Sequence, residues 1–399
     1  MRFTLLSLVL MTWPLKAQEK AAPQTELLDT SDSAAAVPEP PKPETPKAVP
    51  PAATRLPEKV NALVWSGTFQ MKAFFHDMTA ASDQDKQLGF SLSKFRLDLA
   101  ATLNERFGLL GQFLLESNAR DLGVENAYAY YKQGVYQIQA GKLKKPFSME
   151  ALQGSTSLYT VDRGKLYGDF LANTAGYSLY DVGALFIGGF AEEHAEVLYE
   201  AGVFNGRQSL QGYSGAQYET ADDGFLAKDF AGRVAFKNAL GLEGELALSV
   251  KSAESRATPN RFEFAADAAY EAGLAFERDG WRLQGELAWG ANPQGSDSII
   301  VQGSPDFLAF YAMLVRKHAY SRGRASEAVL KIEGLDPNMA VGKGGKPNDG
   351  KLRYTLGANY FFTPRISLLM DYGILQPFTQ VPGEGSFKQD FDVLWRLNF

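Results

Sequence analysis

Lys142, Lys144 and Lys145 crowd one stretch of the chain, and Arg163 and Lys165 follow in a segment without strand patterning. Cations gathered along a low-dielectric wall lower the barrier for passing anions, and rings of such charges set selectivity in anion pores. The same sign recurs on the polar sides of alternating segments, at Lys72, Lys94, Arg96, Arg233, Lys237 and Arg353. Plainer readings compete. Lys144 and Lys145 would be solvated rim charges or partners of Glu150 and Asp162, and Arg96 would pair with Asp98 on its own face. Acids also fall on the polar faces, at Glu243, Glu245, Glu263, Asp267, Glu271, Glu286, Asp371 and Asp390. Anion against cation preference stays open at this level.

Catalytic chemistry finds less support. The histidines are His76, His194 and His318, too scattered to build a metal cluster or to activate a serine. Gly212-Tyr213-Ser214-Gly215-Ala216 lacks the last glycine of a nucleophile elbow. Gly345-Lys346-Pro347-Asn348-Asp349-Gly350-Lys351 mimics a phosphate loop, but Leu352 stands where Ser or Thr is required and no helix follows. The absence of cysteine excludes disulfides, thiolate metal sites and lipid attachment at a cysteine. The expectation is a non-enzyme with no cofactor.

Strands must position the cations. Reading back from Phe399, Leu397, Trp395, Val393, Phe391 and Phe387 alternate with Asn398, Arg396, Asp392, Asp390 and Lys388. That period of two sets one face against lipid and the other against water. Leu63, Trp65, Phe69 and Met71 oppose Ser66, Thr68, Gln70 and Lys72, and Phe95, Leu97 and Leu99 oppose Lys94, Arg96 and Asp98. Sixteen such candidates follow residue 58, with those at 123–132 and 306–317 placed by spacing because they alternate poorly. Short and long connections take turns along the chain. The longest spans 144–175, and longer turns near 188–193 and 318–325 break the rule. No apolar run of helical length follows the N-terminus, so only a closed sheet could cross a bilayer. The fold expected is all-β: a sixteen-stranded antiparallel transmembrane β-barrel over 59–399.

Residues 1–17 read as a signal peptide, with Arg2, an apolar core from Phe3 to Trp13, and an exit at Leu15-Lys16-Ala17. Residues 18–58, rich in proline and charge, read as a disordered periplasmic tether. A sharper alternative docks the tether on peptidoglycan or a periplasmic partner. The formal net charge of -6 argues against nucleic acid. Trp65, Tyr128, Tyr130, Trp281, Trp289, Tyr360 and Trp395 are expected in the interfacial girdles.

Four segments resemble the phosphate-selective porin O and P family of Gram-negative outer membranes. Ala140-Gly141-Lys142-Leu143-Lys144-Lys145-Pro146-Phe147-Ser148-Met149-Glu150 is similar to the approach to that family's third loop. Ala201-Gly202-Val203-Phe204-Asn205-Gly206, Ala231-Gly232-Arg233-Val234 and Tyr354-Thr355-Leu356-Gly357-Ala358-Asn359-Tyr360-Phe361 resemble three of its strands. The resemblance implies a homotrimeric, outer-membrane channel for small hydrophilic solutes, with the third loop folded into the lumen. Independently of the resemblance, the C-terminal strand ending in Phe399 is the expected assembly signal for the barrel assembly machinery. Ser93-Lys94-Phe95-Arg96-Leu97 departs from the family's Arg-Arg-Ala-Arg-Leu, so phosphate selectivity does not follow. The cations singled out above are the pore-lining candidates.

Overall fold

The computed structural model describes residues 62–76, 87–116, 123–178, 180–205, 228–254, 264–292, 306–339, 350–378 and 387–399. The segments 1–17 and 18–58 lie outside them, as do Glu263, Gly212 to Ala216 and Gly345 to Asp349.

Sixteen strands are described. They are β1 (Ala62–His76), β2 (Gln87–Thr102), β3 (Phe107–Leu115), β4 (Gly123–Gln133), β5 (Tyr136–Lys144), β6 (Tyr180–Ala191), β7 (Ala195–Phe204) and β8 (Asp229–Asn238). There follow β9 (Leu242–Glu254), β10 (Phe264–Arg278), β11 (Trp281–Ala291), β12 (Asp306–Ala319), β13 (Ala325–Asp336), β14 (Lys351–Thr363), β15 (Ile366–Pro377) and β16 (Lys388–Asn398). Each pairs antiparallel with its chain neighbours, and β1 meets β16 from Thr68 opposite Asn398 to His76 opposite Asp390. Closure leaves no free sheet edge, the condition a sheet must meet in lipid.

The chain terminus secures that seam. Gly67 donates to the Phe399 carbonyl at 2.9 Å, and Phe399 donates back at 3.0 Å. A Cβ at Gly67 would collide with the Phe399 ring. Tight turns join the strands at one end: β10 reaches β11 through Asp279 and Gly280, both in the left-handed region, as a two-residue hairpin turn requires. β6 continues to Ala191, so the long turn expected near 188–193 shrinks to residues 192–194.

Alternation sorts the side chains. Trp65, Trp281, Trp289 and Trp395 are exposed on the outer face among Leu246, Leu283 and Leu356. Tyr128 and Tyr130 depart from the girdle expected for them. Tyr128 packs on the cluster of Leu143, Leu185, Phe204 and Ala231, and the Tyr130 ring covers Gly108, both on the inner face. The reason is a register shift between Gln112 and Phe113, where β4 carries the extra residue Glu125 and its facing reverses.

The apolar core lies inside the barrel. The connection from β5 to β6 carries the short helix α1 (Met149–Leu152), then α2 (Tyr167–Asp169), which runs into a π-helical turn (Phe170–Thr174). From this loop Phe147, Tyr167, Phe170, Leu171 and Tyr177 pack against Phe307, Ala309, Tyr311, Met313 and Val315 of β12. β12 is thus apolar on both faces, lipid on one and loop on the other. That double burial is why 306–317 alternates poorly.

Candidate channel constriction

The loop is held along the inner wall by hydrogen bonds to successive strands. Ser148 Oγ donates to Glu286 Oε2 on β11 at 2.7 Å, Tyr167 OH to the same oxygen at 2.9 Å, and Glu150 N to Glu286 Oε1 at 2.6 Å. Lys331 on β13 donates to Glu150 at 2.5 Å, and Glu333 accepts from the Leu166 and Tyr167 amides. Asp371 on β15 accepts from Val161 N at 2.6 Å, and Asn359 on β14 donates to the Tyr159 carbonyl at 2.8 Å. Arg396 on β16 donates to the Thr156 carbonyl at 2.8 Å, and Lys72 on β1 to Asp162 at 3.0 Å.

Two local features let the loop lie this close. Ser148 adopts φ 74°, uncommon for a residue with a side chain, and its hydroxyl caps Ala151 N at 3.1 Å while donating to Glu286. At Gly164 any Cβ would collide with Glu333, Glu150 and Lys331.

Docking removes acids from water. Glu245, Glu271, Glu286, Glu333 and Asp371 are all buried. Of the polar-face acids that left charge preference open in the sequence, Glu286, Asp371 and Asp390 fasten the loop, while Glu243 and Glu245 pair with bases of the wall. Alternation marks the face a residue points to and says nothing of what later covers it.

The candidate cations separate into groups. Lys94 pairs with Glu125 at 3.3 Å, and Arg96 with Asp98 at 3.1 Å, the pair its face allowed. Lys144 donates to the Ala151 carbonyl and lies 5.0 Å from the centre of the Tyr180 ring. Arg163 donates to the Gln153 carbonyl at 2.5 Å, and its Nε has no partner among the described residues. These four, with Lys72, stand near Glu116, Glu125, Asp98 and Asp162 where the loop faces β1, β2, β4 and β5.

The other candidates sit elsewhere. Lys145 is buried between Asp229 and Asp181. Lys165 bridges Asp390 and Asp392 on β16 at 2.8 and 2.6 Å, and His76 Nε2 lies 2.8 Å from Asp392. Arg353 meets Asp390 at 2.8 Å. Arg233 is clamped between Glu200 and Glu245 at 2.6 and 2.8 Å, and Lys237 pairs with Glu243 at 2.6 Å near the β8–β9 turn. Lys142 lies opposite Val182 on the outward face and donates to the Val124 carbonyl at 2.6 Å. The sequence put it in the lumen because three lysines stood together, but it shares strand parity with the exposed Tyr136 and Ile138.

Burial alone would lower the Lys165 ammonium, but Asp392, Asp162 and Asp390 together hold its pKa above the ordinary value. Burial pushes the Tyr167 phenol far up, with Glu286 adding to it, so it stays a hydrogen-bond donor.

A loop pinned along the inner wall of a closed barrel sets its charged side chains beside those of the strands. The family model of phosphate-selective porin O and P matches residues 67–303, more than half of the chain. The chain belongs to this family. It is an outer-membrane porin, a channel in family and fold rather than an enzyme. No curated protein matches the chain in sequence. Among solved structures, the anion-selective porin from Comamonas acidovorans is 13% identical, with 85% of this chain and 99% of that one covered and a TM-score of 0.59. OmpF of Salmonella typhi, solved with daunomycin, is 13% identical over 85% and 98% at 0.57. OmpT of Vibrio cholerae in its trimer form is 14% identical over 85% and 99% at 0.54. These likenesses establish the shared fold.

Proposed function

We propose that this porin prefers anions among the small hydrophilic solutes it passes, and that Lys72, Lys94, Arg96, Lys144 and Arg163 supply the preference. The observation that carries this is the burial of Glu245, Glu271, Glu286, Glu333 and Asp371 on the inner wall, the last three bonded to the loop. With those acids withdrawn, the passage runs between a loop and a wall on which bases match or exceed the remaining acids. The similar fold of an anion-selective porin agrees with the reading. A weakly selective or cation-preferring passage is the competing account, because Lys72, Lys94 and Arg96 each face a carboxylate within 3.3 Å.

The same proposal places three copies in the membrane, in line with the trimeric relative of this fold. It places residues 1–17 as a leader removed on export and 18–58 in the periplasm as a spacer. It gives Phe399 a part in recognition by the assembly machinery, since its backbone and ring complete the β1–β16 seam.

Liposome swelling tests the preference. The wild-type channel should admit an anionic sugar acid faster than a neutral sugar of equal size, and Arg163→Gln with Lys144→Gln should bring the two rates together. Equal rates in the wild type, unchanged by the substitutions, would reject the assignment.

A further inference from the structure

Glu245 on β9, Glu271 on β10 and Glu286 on β11 converge on one point of the inner wall. Gly273 lies opposite Glu245 on one side and Glu286 on the other, and Glu271 stands two residues away on the same strand. One carboxylate oxygen from each lies within 4.8 Å of the others, and all three side chains are buried, at 3%, 1% and 3% exposure. Their oxygens are unequally served. Glu286 accepts from Ser148, Glu150 N, Tyr167 and Tyr311, and one Glu245 oxygen accepts from Arg233. The other Glu245 oxygen and both oxygens of Glu271 meet no donor outside this cluster among the described residues.

A second observation concerns the space between them. A Cβ at Gly273 would come within 2.9 Å of Glu271 Oε1, 3.0 Å of Glu245 Cγ and 3.3 Å of Glu286 Cγ. The cradle thus exists because that residue has no side chain. When ionised, three carboxylates out of water with Arg233 as the cation in direct contact carry more negative charge than the wall compensates, and buried charge of that kind is costly unless paired or metal-bound. Lys331, the next cation along the wall, is already taken by Glu150.

We infer that Glu245, Glu271 and Glu286 bind a divalent cation, and that the cation is calcium. The donors are all hard carboxylate oxygens, irregularly disposed, with Glu271 able to bind through one oxygen or both, which suits calcium. Magnesium demands near-octahedral geometry and keeps several waters, and softer metals seek nitrogen or sulfur. Through Glu286 the ion ties β9, β10 and β11 to the loop at Ser148, Glu150 and Tyr167. It is a fastening for the loop, apart from the cations proposed to select solutes.

The purified full-length barrel, stripped with chelator in detergent at neutral pH, tests this by titration with calcium and with terbium. Tyr167 and Tyr311, both bonded to Glu286, should sensitise terbium emission, and calcium should quench it by displacement. Glu271→Gln should weaken calcium binding by at least about tenfold while the barrel keeps its strand content. Glu245→Gln provides the same check should Glu271→Gln fail to fold. No saturable calcium binding by the wild type, or equal binding by folded variants, would overturn the site. So would a Glu271→Gln barrel that melts higher than the wild type with calcium making no difference, since a proton would then be the native counter-charge. None of these readouts depends on ion selectivity.

Discussion

At the scale of single residues, the best-defined contact is Lys331 with Glu150, buried on both sides at 2.5 Å. Removing one partner of a buried pair strands the other charge, which costs about 3–5 kcal/mol. Lys331→Met should therefore loosen the loop, seen as faster proteolysis within 145–178 and a noisier conductance. Adding Glu150→Gln should recover much of the loss, a coupling that a double-mutant cycle reads directly. Lys165 behaves differently. Its folded pKa is raised above the ordinary 10.5, so its contribution is complete below that value and fades as pH climbs through the folded one. Conductance through the Lys165 contact should hold steady from neutral to mildly alkaline pH and change only at strongly alkaline pH, and Lys165→Met should abolish that alkaline change.

Among elements, β12 carries the clearest division of labour. Phe307 is fully buried on its inner face, with ring centres 4.9 Å from Phe170 and 6.1 Å from Tyr177, whereas Leu314 looks outward. Phe307→Ala should cost about 3–5 kcal/mol by leaving a cavity beneath the loop, and Leu314→Ala clearly less, measured as shifts in the denaturation midpoint. The strands were largely legible in the sequence: period-two alternation gives Lys94 and Arg96 their face, and β1, β2, β14 and β16 their identity. β4 and β12 were not. In β4 the bulge at Glu125 reverses facing without any residue type to announce it. In β12 both faces are apolar because a loop more than a hundred residues earlier in the chain packs against it, and alternation contains no trace of such a partner. The site divides along the same line. Cations on strands could be placed by parity, Lys142 outward among them, except Lys144 at the end of β5, while the fate of Glu245, Glu271 and Glu286 depended on where the loop came to rest.

For the whole molecule, closure depends on the last residue. Phe399 exchanges two backbone bonds with Gly67, and its ring centre lies 6.2 Å from that of Trp65 and 6.4 Å from that of Phe95. Deleting Phe399 should lower the folded, heat-modifiable fraction on outer-membrane assembly, with a smaller effect on barrels already formed. The channel itself is a wall whose acids fasten a loop and whose remaining bases face the passage. That account is tested most directly by the zero-current potential of the purified barrel in a planar bilayer under a potassium chloride gradient. It predicts a potential of the sign set by chloride, moving toward zero in the Arg163→Gln, Lys144→Gln double variant. A potential of the sign set by potassium, unmoved by those substitutions, would contradict it.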